Sequence, residues 1–198
     1  KGKRLKIVAS DPNPANTVID ALGQGRAVTL TEGAEIIGFT IQNGIANKGA
    51  GVYQGTVRRC IIQQNTLTYN GFGAGVCEVF AESCLIVDNG SDDVVRSNGG
   101  GASTSDLLNC TIVRNIADKG AGLYDCTAKN CVIALNTDLA GAVSDWAGDS
   151  VAPDPTDCCT PTTGGIAVDA GTLFVDPENN DWRLREGIAC IDAGTSDE

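Results

Sequence analysis

The chain contains no histidine and no methionine, and its aromatic residues are few: two Trp, three Tyr and four Phe in 198 residues. Without histidine it lacks the side chain most often used to move protons near neutral pH. With no histidine and no Cys-x-x-Cys pair, the ligand spacing of a tetrahedral zinc site is missing too. Basic residues are outnumbered, 14 Lys and Arg against 25 Asp and Glu, which leaves a net charge of −11. They cluster nowhere beyond Lys1 to Lys6. That balance argues against a nucleic-acid partner or an anionic membrane surface, both of which require clustered cations. No apolar run reaches 18 residues, so no membrane insertion is expected. No signal peptide is visible at Lys1, and the chain reads as a mature or excised fragment.

What is abundant is glycine, 25 residues, and repetition. Phe39-Thr40-Ile41-Gln42-Asn43-Gly44 is followed by Cys60-Ile61-Ile62-Gln63-Gln64-Asn65, Cys84-Leu85-Ile86-Val87-Asp88-Asn89, Cys110-Thr111-Ile112-Val113-Arg114-Asn115 and Cys131-Val132-Ile133-Ala134-Leu135-Asn136. The steps between copies are 21, 24, 26 and 21 residues, a period that signals a solenoid. A second motif keeps the register. Gly49-Ala50-Gly51-Val52-Tyr53 returns as Gly73-Ala74-Gly75-Val76-Cys77, Gly99-Gly100-Gly101-Ala102-Ser103, Gly120-Ala121-Gly122-Leu123-Tyr124 and, loosely, Ala140-Gly141-Ala142-Val143-Ser144. Its third residue stands nine positions before the next Cys in all four cases. Length variation is therefore confined to the stretch between the Asn and the Gly motif, as expected for loops on one edge.

These segments alternate and are rich in glycine and β-branched residues, so they are strands rather than helices. The fixed leucine spacing of leucine-rich repeats is absent. A strand of about five residues, a turn, a second short strand and another turn fit one coil. The expected fold is all-β: a right-handed, single-stranded parallel β-helix with rungs about 4.8 Å apart. Such a core is narrow and takes small aliphatic side chains, which suits the scarcity of aromatics. Phe39, Cys60, Cys84, Cys110 and Cys131 should form one inward file and Ile41, Ile62, Ile86, Ile112 and Ile133 the next. Val52, Val76, Ala102, Leu123 and Val143 should line the opposite wall. Asn65, Asn89, Asn115 and Asn136 should stack at a turn as a hydrogen-bonded ladder. Residues 1–144 form the coils, the first of them incomplete, and residues 145–198 an irregular loop and C-terminal capping region of the same domain.

Several stretches look like a known type. Ser10-Asp11-Pro12-Asn13-Pro14 before Thr17-Val18-Ile19-Asp20, then Gly38-Phe39-Thr40-Ile41 with Asn43-Gly44, and finally Leu173-Phe174-Val175-Asp176-Pro177 to Ile191-Asp192-Ala193-Gly194 resemble secreted right-handed parallel β-helix proteins of the planctomycete type. The resemblance covers nearly the whole chain. It implies the pectate-lyase-like solenoid fold and export to the extracellular space or cell surface. It does not imply an activity, because relatives of that fold include lyases, hydrolases and adhesins.

Export would permit disulfides among the nine Cys. Pairing within the file Cys60, Cys84, Cys110, Cys131 is disfavoured, since in-register rungs hold Cβ atoms about 4.8 Å apart, beyond the ~3.8 Å a disulfide prefers. Those four are expected to be buried thiols acting as small hydrophobes. Cys158 or Cys159 joined to Cys190 would staple the irregular tail.

Catalysis needs converging carboxylates or a base beside a cation. The outward columns Arg58, Glu82, Leu108, Lys129 and Tyr53, Cys77, Ser103, Tyr124 assemble no acid pair, and Asp88 beside Arg114 reads as a surface ion pair. No catalytic residue is assigned. A ligand surface is expected where the long insertions, residues 66–74 and 90–100, protrude side by side. Tyr69 and Phe72 would offer an aromatic platform beside Asp92, Asp93 and Arg96, a combination suited to a sugar ring. No cofactor or metal is called for, calcium at Asp92 and Asp93 being the weaker reading. The expected role is a non-catalytic structural or adhesive module, with a polysaccharide-binding or polysaccharide-cleaving protein as the alternative. The open rung near Lys1 adds an expected partner, a second copy stacked end to end into a filament.

Overall fold

In the computed structural model, which describes residues 4–91, 93, 95–148, 157–161 and 166–191, the chain winds into a parallel β-solenoid of about six turns. Each turn has three walls rather than two strands. The first wall stacks Lys6–Val8, Glu35–Ile37, Thr56–Arg58, Phe80–Glu82, Asp106–Leu108 and Thr127–Lys129. The second stacks Val18–Asp20, Thr40–Gln42, Ile61–Gln63, Leu85–Val87, Thr111–Val113 and Val132–Ala134, and is extended by Cys159–Thr160 and Ile166–Ala167. The third stacks Val28–Thr29, Val52–Tyr53, Val76–Cys77, Ala102–Ser103, Leu123–Tyr124 and Trp146–Ala147.

Most of the first wall was hidden in the sequence because, from Glu35–Ile37 onward, each strand turns a single residue into the central core. Those residues, Ile36, Val57, Ala81, Leu107 and Ala128, are buried, whereas Lys6–Val8 is exposed along its length; one such position per strand gives no alternation to read. The Ile41, Ile62, Ile86, Ile112 and Ile133 file of the second wall is in register and fully buried. Cys60, Cys84, Cys110 and Cys131 are buried at the corner before it, and Cys158 extends their file. Each thiol accepts a backbone N–H from the rung before, as Cys131 does from Cys110 at 3.4 Å.

The corners themselves are left-handed residues. Asn43, Gln64, Asp88, Arg114 and Leu135 leave the second wall with φ between 52° and 60°. Arg59, Ser83, Asn109 and Asn130 do the same between the first and second walls. A single residue in this region turns the chain sharply, at a modest cost for a side chain with a Cβ.

The asparagine ladder runs through the interior. Asn65 Nδ2 donates to Asn89 Oδ1 at 2.9 Å, Asn89 to Asn115 at 3.0 Å and Asn115 to Asn136 at 2.9 Å. The second amide hydrogen is also used: Asn115 Nδ2 donates to Ile86 O at 3.0 Å. Each oxygen accepts the backbone N–H of the preceding asparagine as well, 3.0 Å from Asn89 N to Asn115 Oδ1. Gly44 N–H opens the column at Asn65 Oδ1, and the carboxylate of Asp145 closes it, 2.9 Å from Asn136 Nδ2. All four amides are buried and satisfied, the condition under which an interior polar file stabilises rather than disrupts.

The ladder explains the third glycine of the second motif. A Cβ on Gly101 would lie 2.6 Å from Gly122 O and 3.1 Å from Asn115 Nδ2. The repeat's Gly motif and its Asn are thus one device: the backbone of one wall passes the amide column too closely for any side chain. The same register corrects the expectation for Val143. Leu123 pairs with Trp146, while Val143 is 60% exposed and forms an antiparallel bridge with Thr137. The apparent fifth Gly motif belongs to a loop in which Asp138 Oδ1 accepts the N–H groups of Ala140 and Ala142.

Residues 170–184 run along a flank. After Ile166–Ala167, a short helix, Ala170–Leu173, leads into an antiparallel hairpin of Phe174–Asp176 and Asp181–Leu184. Leu173 and Phe174 pack on Val87, Val113 and Ala134 at the outer face of the second wall, and Trp182 meets Phe174 edge to face. Arg114 holds this clasp: it pairs with Asp88, donates to Pro177 O and Asn180 Oδ1, and lies 4.6 Å above the Trp182 ring. Cys159 is bonded to Cys190, with Cα atoms 5.7 Å apart, and Cys158 is a buried thiol.

Candidate functional site

The insertions are built onto the solenoid rather than hanging from it. Thr66–Phe72 is a strand that pairs in parallel with Ile45–Lys48, and the register shifts between Leu67 and Phe72. The extra residues bulge outward, which re-aims side chains as bulges do. Tyr69 is 57% exposed on the bulge, and Asn70 is left-handed with φ 58°.

At the end of that bulge the register recovers and produces a column. Phe72 pairs with Lys48 on one side and Asn98 on the other, and Asn98 pairs with Lys119. Backbone bonds from the following glycines hold it: Gly49 N to Phe72 O at 3.0 Å, Gly73 N to Asn98 O at 2.9 Å and Gly99 N to Lys119 O at 3.0 Å. Lys48, Phe72, Asn98 and Lys119 therefore stand one per rung on rigid backbone, a firmer support than a free loop.

A depression of about 360 Å³ opens on this column, lined by Asn70, Phe72, Arg96, Asn98, Asp118 and Lys119. The Phe72 ring lies 6.2 Å from that of Tyr124, tilted by 60°. The Arg96 guanidinium stands 5.8 Å from the centre of the Tyr69 ring. Of the residues singled out in the sequence, the structure thus gathers Tyr69, Phe72 and Arg96. Asp93 is exposed nearby and does not line the depression; Asp92 lies outside the described residues. Lys119, Asn98 and Asn70 went unnoticed in the sequence. The signal for two of them was present, because Lys48, Phe72, Asn98 and Lys119 each immediately precede the Gly motif of their repeat.

The first wall carries a second concentration of charge. Glu35 accepts from Lys6 at 3.1 Å and from Arg58 at 2.7 Å, and Arg58 also pairs with Glu82. These residues line a groove of about 490 Å³ with Ile37, Arg59 and Ser83. An acid pair therefore does flank Arg58, which column-wise reading missed because Glu35 aligns with Thr56 rather than Arg58. The hydrogen bond from Lys6, followed by the pull of Arg58, holds the Glu35 carboxyl below its ordinary value. A carboxylate shared in this way is a poor proton acceptor.

No protein-family model, curated protein or solved structure matches the chain. Its reading rests on its own residues. Among the described residues no cluster of three or more Asp, Glu or Cys is placed to hold a metal ion, and no helix is long and apolar enough to cross a membrane. What the depression offers chemically is an aromatic face, amide donors and acceptors, two cations and the Asp118 carboxylate in one open place.

Proposed function

We propose that this chain is a non-catalytic structural or adhesive β-helix module that works outside the cell or at its surface and grips a polysaccharide at the Phe72 column. The observation that carries this reading is the in-register file Lys48, Phe72, Asn98, Lys119 beside Tyr69 and Arg96. Aromatic faces stack on the C–H faces of pyranose rings, while amides and cations meet hydroxyl and acidic substituents. A file that repeats once per rung suits a polymer lying along the solenoid axis. The ion pairs that engage Glu35 and Glu82 with Lys6 and Arg58 favour holding over cleaving.

A glycan array followed by titration of the hits tests this. Binding should occur and should weaken at least ten-fold in Phe72→Ala, with Lys119→Ala weaker to a lesser degree. Binding that is unchanged in Phe72→Ala, or release of reducing ends from any bound polymer, would overturn it.

End-to-end association with a second copy has separate support. Ile7, Val8 and Val18 are 38–53% exposed on the strands Lys6–Val8 and Val18–Asp20, each paired on one side, and Leu5 just before the first strand is 57% exposed. Such an edge templates a further rung. Sedimentation velocity should show concentration-dependent oligomers that vanish in Val8→Lys; a single monomeric species at high concentration would sink this part.

A further inference from the structure

The asparagine ladder ends on a group that differs from all its other members. Asp145 is 1% exposed, takes the column's last hydrogen bond on Oδ1 and leaves Oδ2 with no partner in hydrogen-bond geometry. Asn136 N–H reaches the same Oδ1 at 3.4 Å. An amide in this place would pass the ladder on; a carboxylate only accepts. A buried carboxylate with one bare oxygen is costly to keep ionised.

Asp145 also sits where the last turn is assembled. Its carbonyl accepts from Leu123 N at 2.9 Å, and Trp146–Ala147, immediately after it, is the last strand of the third wall among the described residues. Thr160, whose hydroxyl favours the charged form, lies in the rung that Cys159 ties to Cys190 in the clasp. We propose that Asp145 is a protonation-controlled lock on the last turn: uncharged it closes the ladder and keeps Trp146–Ala147 and the Cys159 rung docked, and ionised it loosens them.

Burial is the dominant influence on the carboxyl and pushes it up to about 6, against the opposing pull of the Asn136 amide and backbone N–H and of the Thr160 hydroxyl. The groups acting on it are neutral. The ionisable residues on the elements packed around it, Asp125 beyond Tyr124, Asp138 beyond Asn136 and Asp157 before Cys158, stand at half-exposed positions and do not contribute to the shift. Because the folded value lies above the unfolded one, the docked state is favoured below pH ~4 and loses that advantage as pH rises through about 6.

Amide hydrogen exchange on the intact chain tests the lock. The amides of Gly122, Leu123 and Asp125 donate to Ser144, Asp145 and Ala147 and report on docking. Their protection factors should fall up to ~100-fold between pH 4 and pH 7.5, the equivalent of two pKa units, while those of Ile62 and Ile86 stay level. In Asp145→Asn the fall should disappear and protection at pH 7.5 should match the wild type at pH 4. An equal fall in both proteins, or a level profile in the wild type, would overturn the proposal. If Asp145→Asn does not fold, the side-chain carboxyl 13C resonance of Asp145 in the wild type decides: a midpoint near 6 supports the lock and one near 4 refutes it.

Discussion

Two carboxylates end two ladders of side-chain amides in this molecule, and their surroundings shift their proton affinity in opposite directions. On the outer face of the second wall, Gln63 Nε2 donates to Gln42 Oε1 and Gln42 Nε2 to Asp20 Oδ2, both at 2.9 Å, with Asn43 adding a further donor. In the interior, four asparagines lead to Asp145. The hydrogen bonds of Gln42, then Asn43 and the Leu22 N–H, hold exposed Asp20 below its ordinary value. Burial lifts Asp145 to about 6 despite comparable donors. The same amide chemistry therefore stabilises charge where water remains and fails to compensate for its loss where water is gone.

The comparison breaks most severely at the middle of the inner ladder. Asn115→Ala removes the acceptor of two groups on Asn89 and the donor to Ile86 O and Asn136. With unpaired buried groups costing about 1–3 kcal/mol each, the loss should be on the order of 4 kcal/mol by urea unfolding; a loss near zero would mean the ladder is passive. Next comes Asp145→Asn, which should stabilise the fold by up to roughly 3 kcal/mol at pH 7.5, two pKa units' worth, and by nothing at pH 4. Denaturant midpoints at the two pH values measure it.

Arg114→Ala should cost about 1–2 kcal/mol, a value suited to charge-assisted bonds at a half-exposed site. It should also make the 174–184 hairpin the first site of proteolysis. The thiols sharpen the comparison from another side. Burial pushes Cys60 and Cys126 up to about 12 and Cys77 to about 11, so the seven free cysteines should resist maleimide at pH 7.5 until the chain unfolds; prompt labelling would contradict their burial. The smallest effect belongs to Asp20→Asn, which should leave the melting temperature within error of the wild type.

The outer face of the second wall shows how much of this was legible. Its column reads Asp20, Gln42, Gln63, Val87, Val113, Ala134. The switch from polar to apolar is visible in the repeats once they are aligned, and it marks where Leu173 and Phe174 dock. Yet nothing in residues 170–190 says that they turn back along a flank, because that choice depends on a surface made by three separate coils. The candidate site divides the same way. Tyr69, Phe72 and Arg96 stood out as unusual residues in the insertions, whereas Lys119 drew no notice, since its place beside Phe72 comes from register across two rungs.

The sequence by itself determined the stacking: the Gly motif and the Cys, Ile and Asn positions keep fixed spacings within each coil while the length variation is confined to one loop, so like residues come to lie over one another as Ile, Cys and Asn files. Tertiary structure decided what lies at the ends and edges of those files, namely Trp146 in place of Val143, Asp145 as the last acceptor and the clasp on Val87 and Val113. The repeat breaks down at those places, and there the outcome depends on which groups are cut off from water by parts of the chain far away in sequence.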